Sequence, residues 1–178
     1  YTILLPLLLF LPPFISGSVA VDAITEEIER GTLDLLRVAP VDLVDIVDGK
    51  AAAMAALAPV QALMWIVLLS FNGINVSHVP LLLVTVGAMA AIVVVIGVTL
   101  GLVMGERKSA QLLYSIGVLA LFASAVFLPE HPATTVAKLA VDSPTLLTYG
   151  HVGGAVLLAG VGYAVARVYI GRVAAESL

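Results

Sequence analysis

Six charged side chains crowd one short stretch of this chain: Glu26, Glu27, Glu29, Arg30, Asp34 and Arg37 all fall between Thr25 and Pro40. Carboxylates and guanidinium groups packed this closely do electrostatic work, pairing with one another or with charges on a partner surface. Between them stand Ile28, Leu33, Leu35, Leu36 and Val38, enough apolar mass to hold a short helix against something. Asp22 or Thr25 can cap its start, and Glu26, Glu27 and Glu29 then lie near its positive end. Glu26–Arg30, Glu27–Arg30 and Arg30–Asp34 stand at supporting helical spacings. Gly31 can end a first helical piece and Thr32 begin a second, which Pro40 stops. Two readings stand: an interfacial helix resting on lipid headgroups, or a surface that docks a soluble protein. Anionic lipid would repel the acids, which favours docking.

Other residues with chemical potential lead nowhere firm. His131, His151, Glu130 and Asp142 carry metal-binding side chains, but their spacings match no known ligand pattern, so no metal site is expected. Gly49-Lys50 lacks the upstream glycine and following hydroxyl of a phosphate-binding G-x-x-x-x-G-K-[ST] loop, so the chain is not expected to hydrolyse nucleotide and is not read as an enzyme. Gln61, Ser70, Thr85, Thr99 and Ser115 lie in apolar runs, where such groups are usually satisfied by a neighbouring helix. Ionisable residues are missing from the middle of those runs, which counts against an ion-driven carrier or proton relay.

The elements that must position these groups are dictated by composition. Of 178 residues 61% are hydrophobic and 11% charged, with a mean hydropathy of +1.15. Soluble domains carry about 25% charged residues, so the solvent for most of this chain is lipid. The absence of cysteine excludes disulfides and thiolate metal sites. A net charge of −4 gives no basic surface for nucleic acid. Five spans are expected, near residues 1–21, 51–71, 79–104, 110–128 and 147–170, making an all-α membrane bundle with a polar elbow over 22–50. The run Ala91–Ile96 is apolar on every side, unlike the alternation of a membrane β-strand. Pro6, Pro12 and Pro13 should bend or break the first span. Arg30, Arg37, Lys50, Arg107, Lys108 and Arg172 fall on one side of this arrangement and Lys138 alone on the other. The positive-inside rule therefore makes the acidic elbow and the C-terminus cytoplasmic and starts residue 1 outside. A chain opening on Tyr1 within an apolar run reads as a fragment or a trimmed product.

Small residues suggest how the spans pack. Gly97, Gly101 and Gly105 recur every fourth residue, and Gly150 and Gly154 repeat the pattern in the last span, so each stripe admits a close neighbour. Packing within one bundle is the plainer reading of both, with a subunit interface as the alternative. Between the last two spans, residues 133–141 should form a short helix. Ser143 as cap with Pro144 at the first helical position should start the next.

The motif residues Glu29-Arg30-Gly31-Thr32-Leu33-Asp34-Leu35-Leu36, followed by Ala39-Pro40-Val41 and by Gly49-Lys50 at the mouth of a span, resemble the membrane subunits of ABC-2 type exporters. Two departures are mild: Asp34 stands where glutamate is usual, and Ala39 where threonine often precedes the proline. Members have six spans, so the resemblance implies that the first lies upstream of Tyr1. It implies that Glu27, Glu29, Gly31, Thr32, Leu33, Asp34, Leu35, Leu36 and Pro40 form a coupling helix seated in a groove of a separate ATPase subunit, which holds the ATP and magnesium. It further implies a second permease subunit, identical or related, and a multi-pass place in the cell membrane. Leu128, Pro129, Pro132 and Pro144 would belong to short helices that close the pathway from outside. The competing readings are a non-transporting scaffold or sensor using the same ATPase contact, and a fragment of a secondary carrier.

Overall fold

A helix apolar on every side is satisfied only when lipid or other helices cover it, and the chain is built almost wholly from such helices. The computed structural model describes residues 4–31 and 43–176. Within them lie α1 (Leu4–Glu29), α2 (Leu43–Phe71), α3 (Val79–Met104), α4 (Arg107–Ser124), α5 (Pro132–Ala140) and α6 (Leu146–Glu176). A single 3-10 turn, Ala125–Phe127, extends α4. Among the described residues there is no strand, and five of the helices are long and apolar enough to cross a membrane. The bundle is all-α, as expected, with one shorter helix between the last two spans.

α3 is the central helix. It packs most extensively on α1 and also touches α2, α4, α5 and α6. One core cluster gathers Leu5, Leu9, Ala62, Leu82, Val86 and Leu139 toward the α5 end. A second joins Ala20, Ile24, Val47, Val94, Val98 and Ile170 toward the end that carries Glu29. A third sits where α1, α3 and α4 meet, around Val21, Val93, Ala110, Tyr114 and Val118. The outward faces of α2, α4 and α6 remain apolar, with Val60, Leu119, Leu157 and Val165 all well exposed. Lipid satisfies such faces, because a helix pairs most of its backbone groups within itself and turns apolar side chains outward.

Several element ends differ from the sequence expectation, each for a physical reason. α1 is not broken by its prolines: it is helical without interruption across Pro12 and Pro13, both buried. Proline removes the amides that would bond to Leu8 and Leu9, and packing on both sides holds the segment helical regardless. α1 then continues to Glu29, so neither Asp22 nor Thr25 caps a separate helix. Thr25 is wholly buried and turns its hydroxyl back onto the Val21 carbonyl at 2.9 Å. Gly31, at φ 67°, ends the helix in the left-handed region that glycine enters without strain. α2 begins near Leu43, taking Asp45 and Asp48 into a helix. α5 starts at Pro132 behind His131, whose imidazole accepts the Ala133 amide at 3.1 Å. α6 is capped at Thr145, not Ser143: the Thr145 hydroxyl accepts the Thr148 amide at 3.3 Å, and the Thr148 hydroxyl accepts the Thr145 amide at 3.1 Å. This is the reciprocal geometry of a capping box. Thr85 and Thr99 satisfy their hydroxyls on their own helix, at Leu81 and Val95, not on a neighbour.

Candidate functional site

The acids at the end of α1 build a collar of charge where the apolar bundle stops. Arg107, the first residue of α4, meets Asp22 through both forks of its guanidinium, Nε to Oδ1 at 2.7 Å and a terminal nitrogen to Oδ2 at 2.8 Å. Gln111, one turn further, donates to the same Asp22 Oδ1 at 2.8 Å. Glu29 accepts the Arg107 backbone amide at 3.1 Å. That amide is one of the free donors of a helix N-terminus, and Glu106 offers it no side-chain cap. A carboxylate from α1 therefore caps α4. Glu27 forms an ion pair with Lys50 of α2, and Arg30 folds back on Glu26 at 2.6 Å. Across the bundle Arg167 of α6 reaches Asp48 at 3.1 Å and Asp45 at 3.6 Å on α2. Exposed pairs of this kind contribute about 0–1 kcal/mol each; the two-pronged Arg107–Asp22 contact adds fixed geometry.

The collar continues inward as a polar seam between α1 and α4. The Gln111 amide nitrogen donates to the Ser18 carbonyl at 2.9 Å, and Tyr114 donates its hydroxyl to the Phe14 carbonyl at 2.8 Å. Tyr114 fits only because residue 17 lacks a side chain, since a Cβ there would lie 2.1 Å from the phenolic oxygen. On its other side the Gly17 carbonyl would be 2.5 Å from any Cβ on Gly97. Gly101 faces Ile24 at 3.0 Å in the same sense, and Gly105 closes α3 at φ 63° with its amide on the Gly101 carbonyl. The first small-residue stripe thus packs α3 onto α1. Gly150 and Gly154 are exposed on α6, and a Cβ at either would meet nothing within 4 Å.

At the opposite end α5 lies across α1, α3 and α6. Its anchor is Glu130, only 3% exposed, which receives Lys138 at 2.6 Å, Thr135 at 3.0 Å and Thr148 at 3.2 Å. Burial opposes its charge, yet these hydrogen bonds and the Lys138 ammonium outweigh burial and hold the carboxyl below its ordinary range. His78 of the α2–α3 connection meets Asp142 at 2.9 Å, while the Ser77 amide donates to the Ala140 carbonyl at 2.9 Å. Leu128 and Pro129 are exposed beside this clasp, and Pro132 and Pro144 are partly covered. Among the described residues no three metal-binding side chains come together; His131 caps α5, and His151 sits on the Leu147 carbonyl at 2.8 Å.

Of the sequence candidates for coupling, the structure brings Glu27, Glu29 and Gly31 to the collar. Thr32, Leu33, Asp34, Leu35, Leu36 and Pro40 lie outside the described residues. Sequence reasoning passed over Gln111, Tyr114 and Gly17. Their one signal was spacing: Arg107, Gln111 and Tyr114 share a face of α4, as Phe14, Ser18 and Asp22 do on α1.

Five membrane-length helices with an ion-paired collar at one end define a polytopic helical membrane protein. A family model described as "ABC-2 family transporter protein" matches residues 1–142, and the chain belongs to that family. It is a membrane permease subunit, the transmembrane component of a transporter and not itself an enzyme; the family's usual partners are an ATPase subunit and the lipid membrane. No curated protein and no solved structure matches the chain.

Proposed function

We propose that this permease forms half of the pathway of an ATP-driven exporter in the cell membrane, with a second permease subunit as the other half. Its Glu29 end faces the cytoplasm and receives the ATPase. The observation that carries this is the asymmetry of cations. Among the described residues, Arg30, Lys50, Arg107, Lys108 and Arg167 cluster at the Glu29 end, whereas Lys138 is the one lysine or arginine at the other, locked onto Glu130. Cations flank membrane spans on the cytoplasmic side, so this distribution supports an inward-facing collar and a C-terminus on the same side. Residue 1 and α5 then lie outside.

The coupling segment is Glu27, Glu29, Gly31, Thr32, Leu33, Asp34, Leu35, Leu36 and Pro40. Within it Glu27 and Glu29 are engaged by Lys50 and by the α4 amide, so they fasten the segment to the bundle. Leu33, Leu36 and Asp34 are left as the side chains that enter the ATPase. ATP and magnesium belong to that subunit. Leu128, Pro129, Pro132 and Pro144 frame the outer closure, which the Glu130 clasp holds shut. Co-purification tests the docking role. Leu33→Ala with Leu36→Ala should lose the ATPase, since truncating buried anchors costs about 2 kcal/mol or more each, while the variant's own melting stays unchanged. A complex that survives with unaltered ATP turnover would dismiss the coupling segment.

A further inference from the structure

Among the described residues, every side-chain hydrogen bond from α4 to another helix runs to α1. The rungs are antiparallel and in register: Tyr114 on Phe14, Gln111 on Ser18 and Asp22, Arg107 on Asp22, and the Arg107 amide on Glu29. Against α3, by contrast, α4 presents apolar contacts such as Tyr114 and Val118 beside Val93 and Ile96. A shift along an apolar contact exchanges one apolar neighbour for another, whereas a shift along a hydrogen-bonded register leaves polar groups unpaired where no water replaces their partners. A slip of one turn would leave a guanidinium, an amide and a phenol without their acceptors together. It would also drive the Tyr114 ring out of the space above Gly17, the backbone that α3 pinches from its far side at Gly97. Nearer the α5 end the aromatic pair Phe10–Phe122, with ring centroids 4.9 Å apart, continues the α1–α4 contact.

We propose that α1 and α4 move as one rigid strut, with Arg107, Gln111 and Tyr114 as the positioning residues that lock them, so that displacement of the coupling segment after Glu29 reaches the Leu128–Pro129 side through α4. This rests on the coupling reading above and adds the route inside the subunit. α1 enters the coupling segment directly, and α4 leads through the Ala125–Phe127 turn into the segment that holds Glu130. α6, whose apolar span is largely exposed and which is joined at the collar to α2 through Arg167, is outside the strut.

These 178 residues hold no cysteine, so paired substitution places spin labels among them without competing thiols in this segment. Glu26 on α1, Val126 beyond α4 and Leu157 on α6 are all exposed. Distances Glu26–Val126 and Glu26–Leu157 are to be measured by pulsed electron resonance in the complex with the ATPase, nucleotide-free and trapped with ATP and vanadate. The strut requires Glu26–Leu157 to shift, on the order of 2–5 Å for helix displacements of this kind, while Glu26–Val126 stays fixed. In Arg107→Ala with Gln111→Ala, Glu26–Val126 should shift or broaden on trapping. The exchange pair Asp22→Arg with Arg107→Asp, which keeps a salt bridge in reversed polarity, should return it to the fixed value. Movement of both distances in the unaltered protein, or a fixed Glu26–Val126 in the alanine variant, would overturn the strut and leave coupling standing. No movement of either distance on trapping would overturn coupling and the strut with it.

Discussion

Glu130 is the residue on which the α5 end turns, because a buried carboxylate is tolerated only while its donors stay in place. Its partners come from two elements, Thr135 and Lys138 on α5 and Thr148 on α6, so the group staples one helix to the other. The shift in its titration fixes the sign of the pH effect. The folded carboxyl lies below its ordinary range. Its contribution is therefore complete above the unfolded glutamate value of about 4.3 and fades as pH falls through the lower folded value. Thermal melts taken from about pH 6 to about pH 3 should show an acid-side loss of stability that Glu130→Gln reduces. At neutral pH the same variant should melt lower by about 1–3 kcal/mol of stability, since Lys138 keeps a largely covered charge without its carboxylate. An acid limb identical in both proteins would remove Glu130 as its source.

Between helices, the distance of closest approach decides what a substitution does. Gly97 faces a backbone carbonyl that cannot move without shifting α1, whereas Gly101 faces the branched end of Ile24. Gly97→Ala should therefore destabilise more than Gly101→Ala, by about 1–3 kcal/mol for the overpacked site. Gly154→Ala has open space and an ordinary helical backbone, and should be neutral or stabilising by up to about 1 kcal/mol in the protomer. Melting of the purified variants gives the order; equal losses at Gly97 and Gly154 would contradict the packing described. Gly101→Leu is the harsher form of the same test. Its damage should appear as earlier melting of the protomer, with the dimer fraction among surviving molecules unchanged.

For the molecule as a whole the decisive question is which end faces the cytoplasm. Asn75 lies in the α2–α3 connection and Lys108 in the first turn of α4, both exposed and at opposite ends of α3. Cysteine at Asn75 should react with a membrane-impermeant thiol reagent on intact cells, and cysteine at Lys108 only after permeabilisation. The reverse pattern would turn the protein over and place the charged collar outside, away from any ATPase.

The sequence by itself determined the class and the number of spans, because solvation by lipid is a local property: a run of some twenty apolar residues declares it wherever the run's neighbours stand. It also marked the helix end at Gly31, which depends on that one residue's backbone, and a short helix over 133–141, against the observed Pro132–Ala140. Only the tertiary structure decided which charges meet. Glu29 and Arg107, or Glu130 and Thr148, are far apart in the chain, and helices apolar on every side carry no stripe to say which face turns inward. The glycine stripes show the limit plainly. Gly97 and Gly150 read alike as small residues at four-residue spacing, yet Gly97 touches the backbone of α1 and Gly150 faces outward, because close approach is a property of two helices and their register.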